Sequence, residues 1–143
     1  MGASAWDYVV PFEPDLGAAL ETLRKKAFDY HEYYFLPGDD GWPTTMEQLW
    51  ADEDVKYEGT HSILDVFRVI APDDADAFGT LRPLREEERL RYHGTTTPSR
   101  ATFEAAYREG KLTGQGIRWS GYSTVLYAEG RPTEIAIWGF SGD

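Results

Sequence analysis

The chain has 143 residues, a length that fits one domain spanning residues 1–143, and 41% of its residues are apolar, which is enough to exclude global disorder. It contains no cysteine, which excludes disulfides, thiolate metal sites and thiol nucleophiles. Its 25 acidic and 14 basic residues give a net charge of −11, and this acidic field disfavours binding to nucleic acid and to anionic membrane surfaces.

The N-terminal third predicts a strand followed by two helices. Residues 5–10 are rich in aromatic and β-branched side chains and end at a proline, which is typical of an edge strand. Apolar residues then recur at steps of three and four over residues 16–28, with Asp15 placed as the N-cap, and this spacing predicts a helix. Residues 45–52 predict a second, short helix that begins with a capping box.

The middle of the chain predicts a buried strand and a charged helix. Residues 62–70 have the strongest strand signal, because aliphatic and β-branched side chains dominate, and we expect this strand to be central. A polar loop follows to about residue 82. Pro83 suits the first turn of a third helix over residues 84–92, which Gly94 can terminate.

The C-terminal third predicts a fourth helix and a hairpin. Thr97 and Pro98 form a helix-start signal, and this helix can end at Gly110. Residues 122–128 and 133–140 alternate or are apolar throughout, so they predict a β-hairpin. The element order is therefore βααβααββ. We expect an α+β domain with an antiparallel or mixed sheet and helices packed on one face.

Histidine is the first candidate for proton transfer or metal binding, and the chain has His31, His61 and His93. No two of them have the spacing of a metal motif, so the sequence predicts no metal and no cofactor. His61 lies at the start of the predicted central strand, where its ring either caps a loop carbonyl or transfers protons with Asp65 orienting it. If Asp65 does not orient His61, we expect its side chain to face solvent on an open side of the sheet.

The segment Tyr92-His93-Gly94-Thr95 resembles the histidine motif of the ADP-ribosyltransferase superfamily. The resemblance covers four residues. It implies an NAD-binding role for His93. In the family a tyrosine and a glutamate follow the histidine motif along the chain, and chain order alone nominates Tyr122 and Glu134 for these two positions. The alternative is structural, because a histidine at a helix C-terminus followed by a capping glycine gives the same pattern. His93 stays a candidate catalytic residue.

Aromatic side chains crowd two regions of the sequence, residues 30–57 and residues 119–140. Tryptophan and tyrosine can anchor interfaces or line apolar cavities, although in a domain of this size many must also build the core. The candidate ligand-binding or partner-binding residues are Trp42, Trp50, Tyr57, Trp119 and Tyr122.

The overall pattern resembles short proteins of unknown function from actinomycetes and related bacteria. The resemblance depends on the opening at residues 6–12, the segment 59–65 and the hairpin that ends at residues 139–141. It implies a bacterial protein of one domain. The sequence has no signal-peptide pattern and no run of about 20 apolar residues, so we expect a cytoplasmic location and no membrane association.

Two functions are consistent with these patterns. Our leading interpretation is a small acidic binding protein that acts by occupying a basic protein partner, as immunity and inhibitor proteins do. The alternative is a small enzyme or metabolite-binding domain that takes a small-molecule ligand in an aromatic pocket, with His61 as the proton-transfer residue. The sequence leaves the oligomeric state open.

Overall fold

The computed structural model describes residues 4–113 and 116–142, and it has the α+β class that the sequence predicts. In chain order the elements are β1 (Ala5–Pro11), α1 (Leu16–Asp29), α2 (Met46–Ala51), α3 (Glu53–Glu58), a 3-10 turn (Ile63–Asp65), β2 (Arg68–Val69), β3 (Thr80–Pro83), α4 (Glu86–His93), α5 (Arg100–Arg108), β4 (Ser120–Ala128) and β5 (Arg131–Phe140). The observed order within the described ranges is βαααββααββ. It differs from the predicted order by one additional helix and one additional strand.

The five strands form one mixed sheet in the order β1-β5-β4-β3-β2. Strand β5 is antiparallel to both of its neighbours, β1 and β4, whereas β2, β3 and β4 are parallel to one another. The mixed sheet is one of the two predicted arrangements. The first strand lies at an edge, as its terminal proline indicates.

Helices cover both faces of the sheet, which corrects the expectation of a single covered face. Successive side chains on a strand point to opposite faces. On β5, Ile135 and Ile137 belong to a core that also contains residues of α1, α2 and α3. Ala136 and Trp138 belong to a second core, built with Phe103 of α5. Burial on both faces explains why residues 135–140 of β5 are continuously apolar rather than alternating.

Local signals for the first two helices and the hairpin are confirmed. The Asp15 carboxylate accepts a backbone amide from the first turn of α1 at 3.2 Å, and the Thr45 hydroxyl accepts the Gln48 amide in α2 at 3.1 Å. Strands β4 and β5 are joined by Glu129 and Gly130, which have φ angles of 53° and 77°. Positive φ at both positions is what a two-residue type I′ turn requires.

The predicted central strand over residues 62–70 is wrong. The segment forms a 3-10 turn followed by β2, a two-residue edge strand. The Arg24 guanidinium donates to the carbonyls of Leu64, at 3.1 Å, and of Val66, while the Ser62 hydroxyl accepts the Leu64 amide at 3.1 Å. These bonds replace a strand ladder. An aliphatic run buried around a turn gives the same sequence signal as a buried strand.

The sequence does not predict α3, a six-residue helix of mostly charged residues. Asp52 ends α2 and also caps α3, because its Oδ1 atom accepts the amides of Asp54 at 3.0 Å and Val55 at 3.1 Å. Only Val55 of this helix is buried. With one inward side chain, the helix has no apolar periodicity that a pattern search could detect.

Strand β3 is not predicted from the sequence, and the bounds of α4 and α5 differ from those predicted. Pro83 ends β3, which lies in a segment expected to be a polar loop, and does not open α4. Helix α4 begins after Arg85, whose amide donates to the Glu88 carboxylate at 2.8 Å. Helix α5 begins after Ser99 rather than Thr97. In α4 the Glu88 carboxylate binds the Arg85 amide, and in α5 the Ser99 hydroxyl accepts the Thr102 amide, so both helices begin downstream of the predicted start.

Candidate functional site

Four aromatic side chains form a continuous surface, which we call the aromatic patch: Trp50, Phe67, Phe78 and Trp119. The ring centroids of Trp50 and Trp119 are 6.2 Å apart, those of Trp119 and Phe78 are 5.2 Å apart, and those of Phe78 and Phe67 are 5.8 Å apart. All three pairs are tilted, at spacings that favour aromatic contact. The four rings therefore support one another as one surface.

The topology of the sheet aligns three of these rings. Phe67 directly precedes β2, Phe78 lies two residues before β3, and Trp119 directly precedes β4. Parallel strands begin at the same edge of a sheet, so side chains at their starts lie close together. The sequence nominates Trp119 but not Phe67 or Phe78, because its patterns predict a buried strand at Phe67 and a polar loop at Phe78.

Backbone geometry around the aromatic patch brings its rings close to the main chain. Trp119 has a φ angle of 66°, a left-handed conformation that is strained for a bulky residue. Its carbonyl accepts the Gly79 amide at 2.6 Å. A Cβ atom at Gly79 would overlap the Phe67 ring, and one at Gly142 would overlap the Trp119 ring. Because both glycines lack a Cβ atom, the two rings have room to pack against the backbone there.

Part of the aromatic patch is open to solvent. Phe67 is 47% exposed and Phe78 is 54% exposed, whereas Trp50 is partly buried against the first core. When a partner removes exposed aromatic surface from water, the free energy of the complex falls by about 25 cal/mol per Å² buried. A contiguous apolar surface on a structured base is the usual property of a protein-interaction site.

The other aromatic candidates lie outside the patch. Trp42 stacks on His31, with a centroid distance of 4.2 Å, and also contacts Phe35 at 5.5 Å. Tyr57 is 79% exposed on α3. Tyr122 is buried in the second core. Of the five aromatic residues that the sequence nominates, the structure therefore brings together two, Trp50 and Trp119.

His61 and Asp65 lie in one buried turn. Asp65 is fully buried, which corrects the expectation that it faces solvent, and its Oδ1 atom accepts the Thr60 amide at 2.7 Å and the Thr60 hydroxyl at 2.9 Å. His61 has a positive φ of 54°, its ring lies against that of Tyr34 at 5.3 Å, and its Nε2 atom is 3.9 Å from the Glu58 carboxylate. Asp65 thus organises the turn that presents His61.

His93 is the last residue of α4, and Gly94 follows it in the left-handed conformation. This is the geometry of the structural alternative rather than that of a strand-borne histidine motif. Neither ring nitrogen has a hydrogen-bond partner in the described part of the chain, and the ring lies 6.4 Å from that of Phe103. Burial, with a smaller contribution from Lys111, lowers the pKa of His93. Glu134 lies on β5 and forms a surface ion pair with an arginine of α5.

Protonation of His93 is expected to lower the free energy of unfolding as the pH falls below about 6.5. The folded state has the lower pKa, so it binds fewer protons than the unfolded state between the two pKa values, and the loss is complete once the pH is below the folded-state pKa. Urea denaturation at a series of pH values that starts above about 6.5 and continues into the acid range should give a flatter profile for His93→Gln. The variant His31→Gln, at an exposed histidine, should keep the wild-type slope. A His93→Gln profile as steep as that of the wild type would contradict this account.

Tyr122 belongs to a buried ion cluster, formed by Asp76, Arg82, Glu88 and Tyr122. Arg82 donates from Nε to Asp76 at 2.6 Å and from its two terminal nitrogens to the Glu88 carboxylate at 2.7 and 3.0 Å. The Tyr122 hydroxyl donates to the second oxygen of Asp76 at 2.7 Å. Burial and Asp76 raise the pKa of Tyr122 to about 12. These mutual bonds hold β3, β4 and α4 together.

The described residues contain neither a metal-binding cluster nor a helix that could span a membrane. Residues 4–113 and 116–142 contain no group of three or more histidine, aspartate, glutamate or cysteine side chains that could hold a metal ion. No helix in these ranges has the length and hydropathy needed to cross a bilayer. Comparisons of the chain with protein-family models, curated proteins and solved structures found no match.

Proposed function

We propose that the protein is a small acidic binding protein that occupies a basic protein partner through the aromatic patch, in the manner of immunity and inhibitor proteins. The observation that supports this most is the half-exposed pair Phe67 and Phe78, aligned with Trp119 at the starts of three parallel strands. Hot spots of protein interfaces are enriched in aromatic anchors held on a rigid base. The strands supply that base.

The charge distribution favours a basic partner. The chain has a net charge of −11, which attracts cationic surfaces over long range and accelerates their association. Acidic residues lie close in sequence to the patch, at residues 52–54 after Trp50 and at residues 73–74 before Phe78. The nearby Asp76 is already bonded to Arg82 and Tyr122. Arg68 and Arg118 are the basic exceptions beside it. We therefore expect a partner surface with an apolar centre and a mainly basic rim.

Alanine variants of the aromatic patch test this proposal. Phe67→Ala and Phe78→Ala should each raise the Kd for the captured partner by about 10- to 100-fold, the range expected when an aromatic hot spot is truncated. The partner is first isolated from source cells with the wild-type protein, and Kd values are then measured by isothermal titration calorimetry. The matched control is Tyr30→Ala, because Tyr30 is 72% exposed and lies at the end of α1.

Two results would contradict the proposed function. One is a partner that binds Phe78→Ala as tightly as it binds the wild-type protein. The other is a partner whose Kd does not rise with salt, since attraction between opposite net charges is screened within about 10 Å at 0.1 M ionic strength. Circular dichroism of each variant separates loss of the interface from loss of the fold.

A further inference from the structure

A second candidate site lies farther along β4, where this strand extends beyond β3. We call it the strand-edge cleft; it has a volume of about 210 Å³, and its walls include Phe12, Leu16, Leu84, Arg89, Thr124 and Val125. The Leu84 amide donates to the carbonyl of Ser123 at 2.8 Å, and pairing along this edge of β4 then stops until the Tyr127 amide donates to the Pro98 carbonyl at 2.9 Å. The loop before α1 and helix α4 close the sides of the gap.

Val125 directs its backbone N–H and C=O groups into this gap. The bond from the Phe12 amide to the Thr133 carbonyl shows that odd-numbered residues of β5 face β1, so even-numbered residues of β5 face β4. Thr124 is opposite Ala136 in that register, and Val125 therefore faces away from β5. No described residue hydrogen-bonds to Val125 on this side, because the pairing with β3 ends at Ser123.

Arg89 places a cation in the wall of the cleft. Arg82, Arg85 and Arg100 all form ion pairs. The one hydrogen bond from the Arg89 side chain in the described part of the chain goes from Nη1 to the Leu84 carbonyl at 3.2 Å, and its buried Nε atom has no acceptor. Arginine is the side chain best suited to hold a carboxylate.

The remaining wall groups are either apolar side chains or hydrogen-bond donors, and one acidic side chain is the exception. Thr124 is 4% exposed, and its hydroxyl has no partner within the described ranges. Phe12 and Leu16 give the cleft its apolar side. Glu13 also contributes to the wall, and its carboxylate accepts the Asp15 amide at 3.2 Å. The cleft thus combines the Arg89 cation, the Val125 amide and an apolar wall, while the buried Thr124 hydroxyl lies on the face of β4 that carries the second core.

We propose that the strand-edge cleft binds a small carboxylate with a compact aliphatic body. Arg89 and the Val125 amide donate to the carboxylate, and Phe12, Leu16 and Leu84 contact the aliphatic body. The cleft is smaller than the roughly 300–1,000 Å³ typical of drug-sized ligands, which limits the occupant to the size of an amino acid. Both a branched short-chain acid and an aliphatic α-amino acid have this chemistry, and in the second case Glu13 receives the ammonium group.

Titration of ¹⁵N-labelled protein tests the proposal. 4-Methylpentanoate and L-leucine represent the two sources of the ligand, and 4-methylpentan-1-ol has the same body without a charge. We expect one or both carboxylates to bind, with the Val125 amide resonance shifting most, and the alcohol to bind at least about tenfold more weakly because the charge-assisted bonds are lost. Tighter binding of L-leucine identifies the amino acid, and tighter binding of 4-methylpentanoate identifies the simple acid.

Variants assign the binding to the cleft. Arg89→Met should raise the Kd by about tenfold or more, and Arg100→Met, at an exposed arginine of α5, should leave it unchanged. Arg89→Gln also removes the charge, and it replaces Arg89→Met if the spectrum shows that the latter does not fold. The proposal is overturned if neither carboxylate binds at millimolar concentration, or if the folded Arg89 variant binds as tightly as the wild type.

Discussion

Arg82→Ala is expected to lower the free energy of unfolding by about 3–5 kcal/mol, the cost of removing one partner from a buried ion pair. Arg82 and Glu88 are 4% and 5% exposed, so water cannot replace the lost charge. Two carboxylates lose a common partner at once, because Arg82 also bonds to Asp76 at 2.6 Å. The measurement is urea denaturation at neutral pH, followed by circular dichroism.

An exposed arginine supplies the matched control for the buried ion cluster. Arg100 also contacts two carboxylates, those of Glu104 and Glu134, but its side chain is 56% exposed. Exposed pairs contribute little to stability, so Arg100→Ala should barely move the denaturation midpoint. Equal midpoints for Arg82→Ala and Arg100→Ala would show that the buried cluster does not stabilise the fold.

The same cluster determines part of the acid sensitivity. Burial alone raises the pKa of Glu88, but hydrogen bonds from the Arg82 side chain and the Arg85 amide outweigh it and lower the pKa below its usual value. A carboxylate with a lowered folded-state pKa stabilises the fold above its unfolded pKa, and this stabilisation is lost as the pH falls through the folded-state pKa. Arg82→Ala should therefore also flatten the acid limb of the stability profile.

Asp65→Ala is expected to cost about 2–4 kcal/mol, because it leaves two donors of Thr60 without their acceptor in a fully buried turn. Asp65→Asn keeps one acceptor oxygen and should lose less. The matched control is Asp74→Ala, which also removes a carboxylate bonded to a backbone amide, at 3.0 Å, but in an exposed loop. It should lose much less stability, as measured by the same urea titration.

This prediction also separates the two functions considered for the turn. An Asp65→Ala variant that folds as stably as the wild type would contradict a structural role for the carboxylate and would favour the enzyme interpretation, in which Asp65 orients His61. A large loss of stability supports the structural role and leaves the aromatic patch as the better candidate site.

The elements that could be predicted from the sequence are those determined by neighbouring residues. Asp15 and the apolar spacing after it define α1, and the pair Glu129 and Gly130 meets the requirement of a tight hairpin turn. The segment 62–70 could not be assigned in this way, because its carbonyls bond to Arg24 and its Ile63 amide bonds to the Tyr8 hydroxyl. Both partners are distant in sequence, and an aliphatic run alone does not distinguish a turn from a strand.

For the same reason, the candidate sites could not be predicted without the topology of the sheet. Trp50 and Trp119 could be nominated as aromatic residues, but Phe67 and Phe78 become part of one surface only because β2, β3 and β4 are parallel and start at one edge. The strand-edge cleft depends on a difference in length between β3 and β4. Neither relation is visible in the order of the residues along the chain.

The pairing of β1 with β5 also has a kinetic consequence. Ala5 is opposite Phe140, so the first and last strands of the described chain are neighbours in the sheet. During synthesis β1 leaves the ribosome before the other described strands, and its partner β5 leaves after them. Long-range pairing of this kind slows folding, because the whole intervening chain must be ordered or looped out before the ladder forms. Strand β1 is therefore expected to stay unpaired while the intervening elements are synthesised, and to pair only when the hairpin of β4 and β5 has emerged.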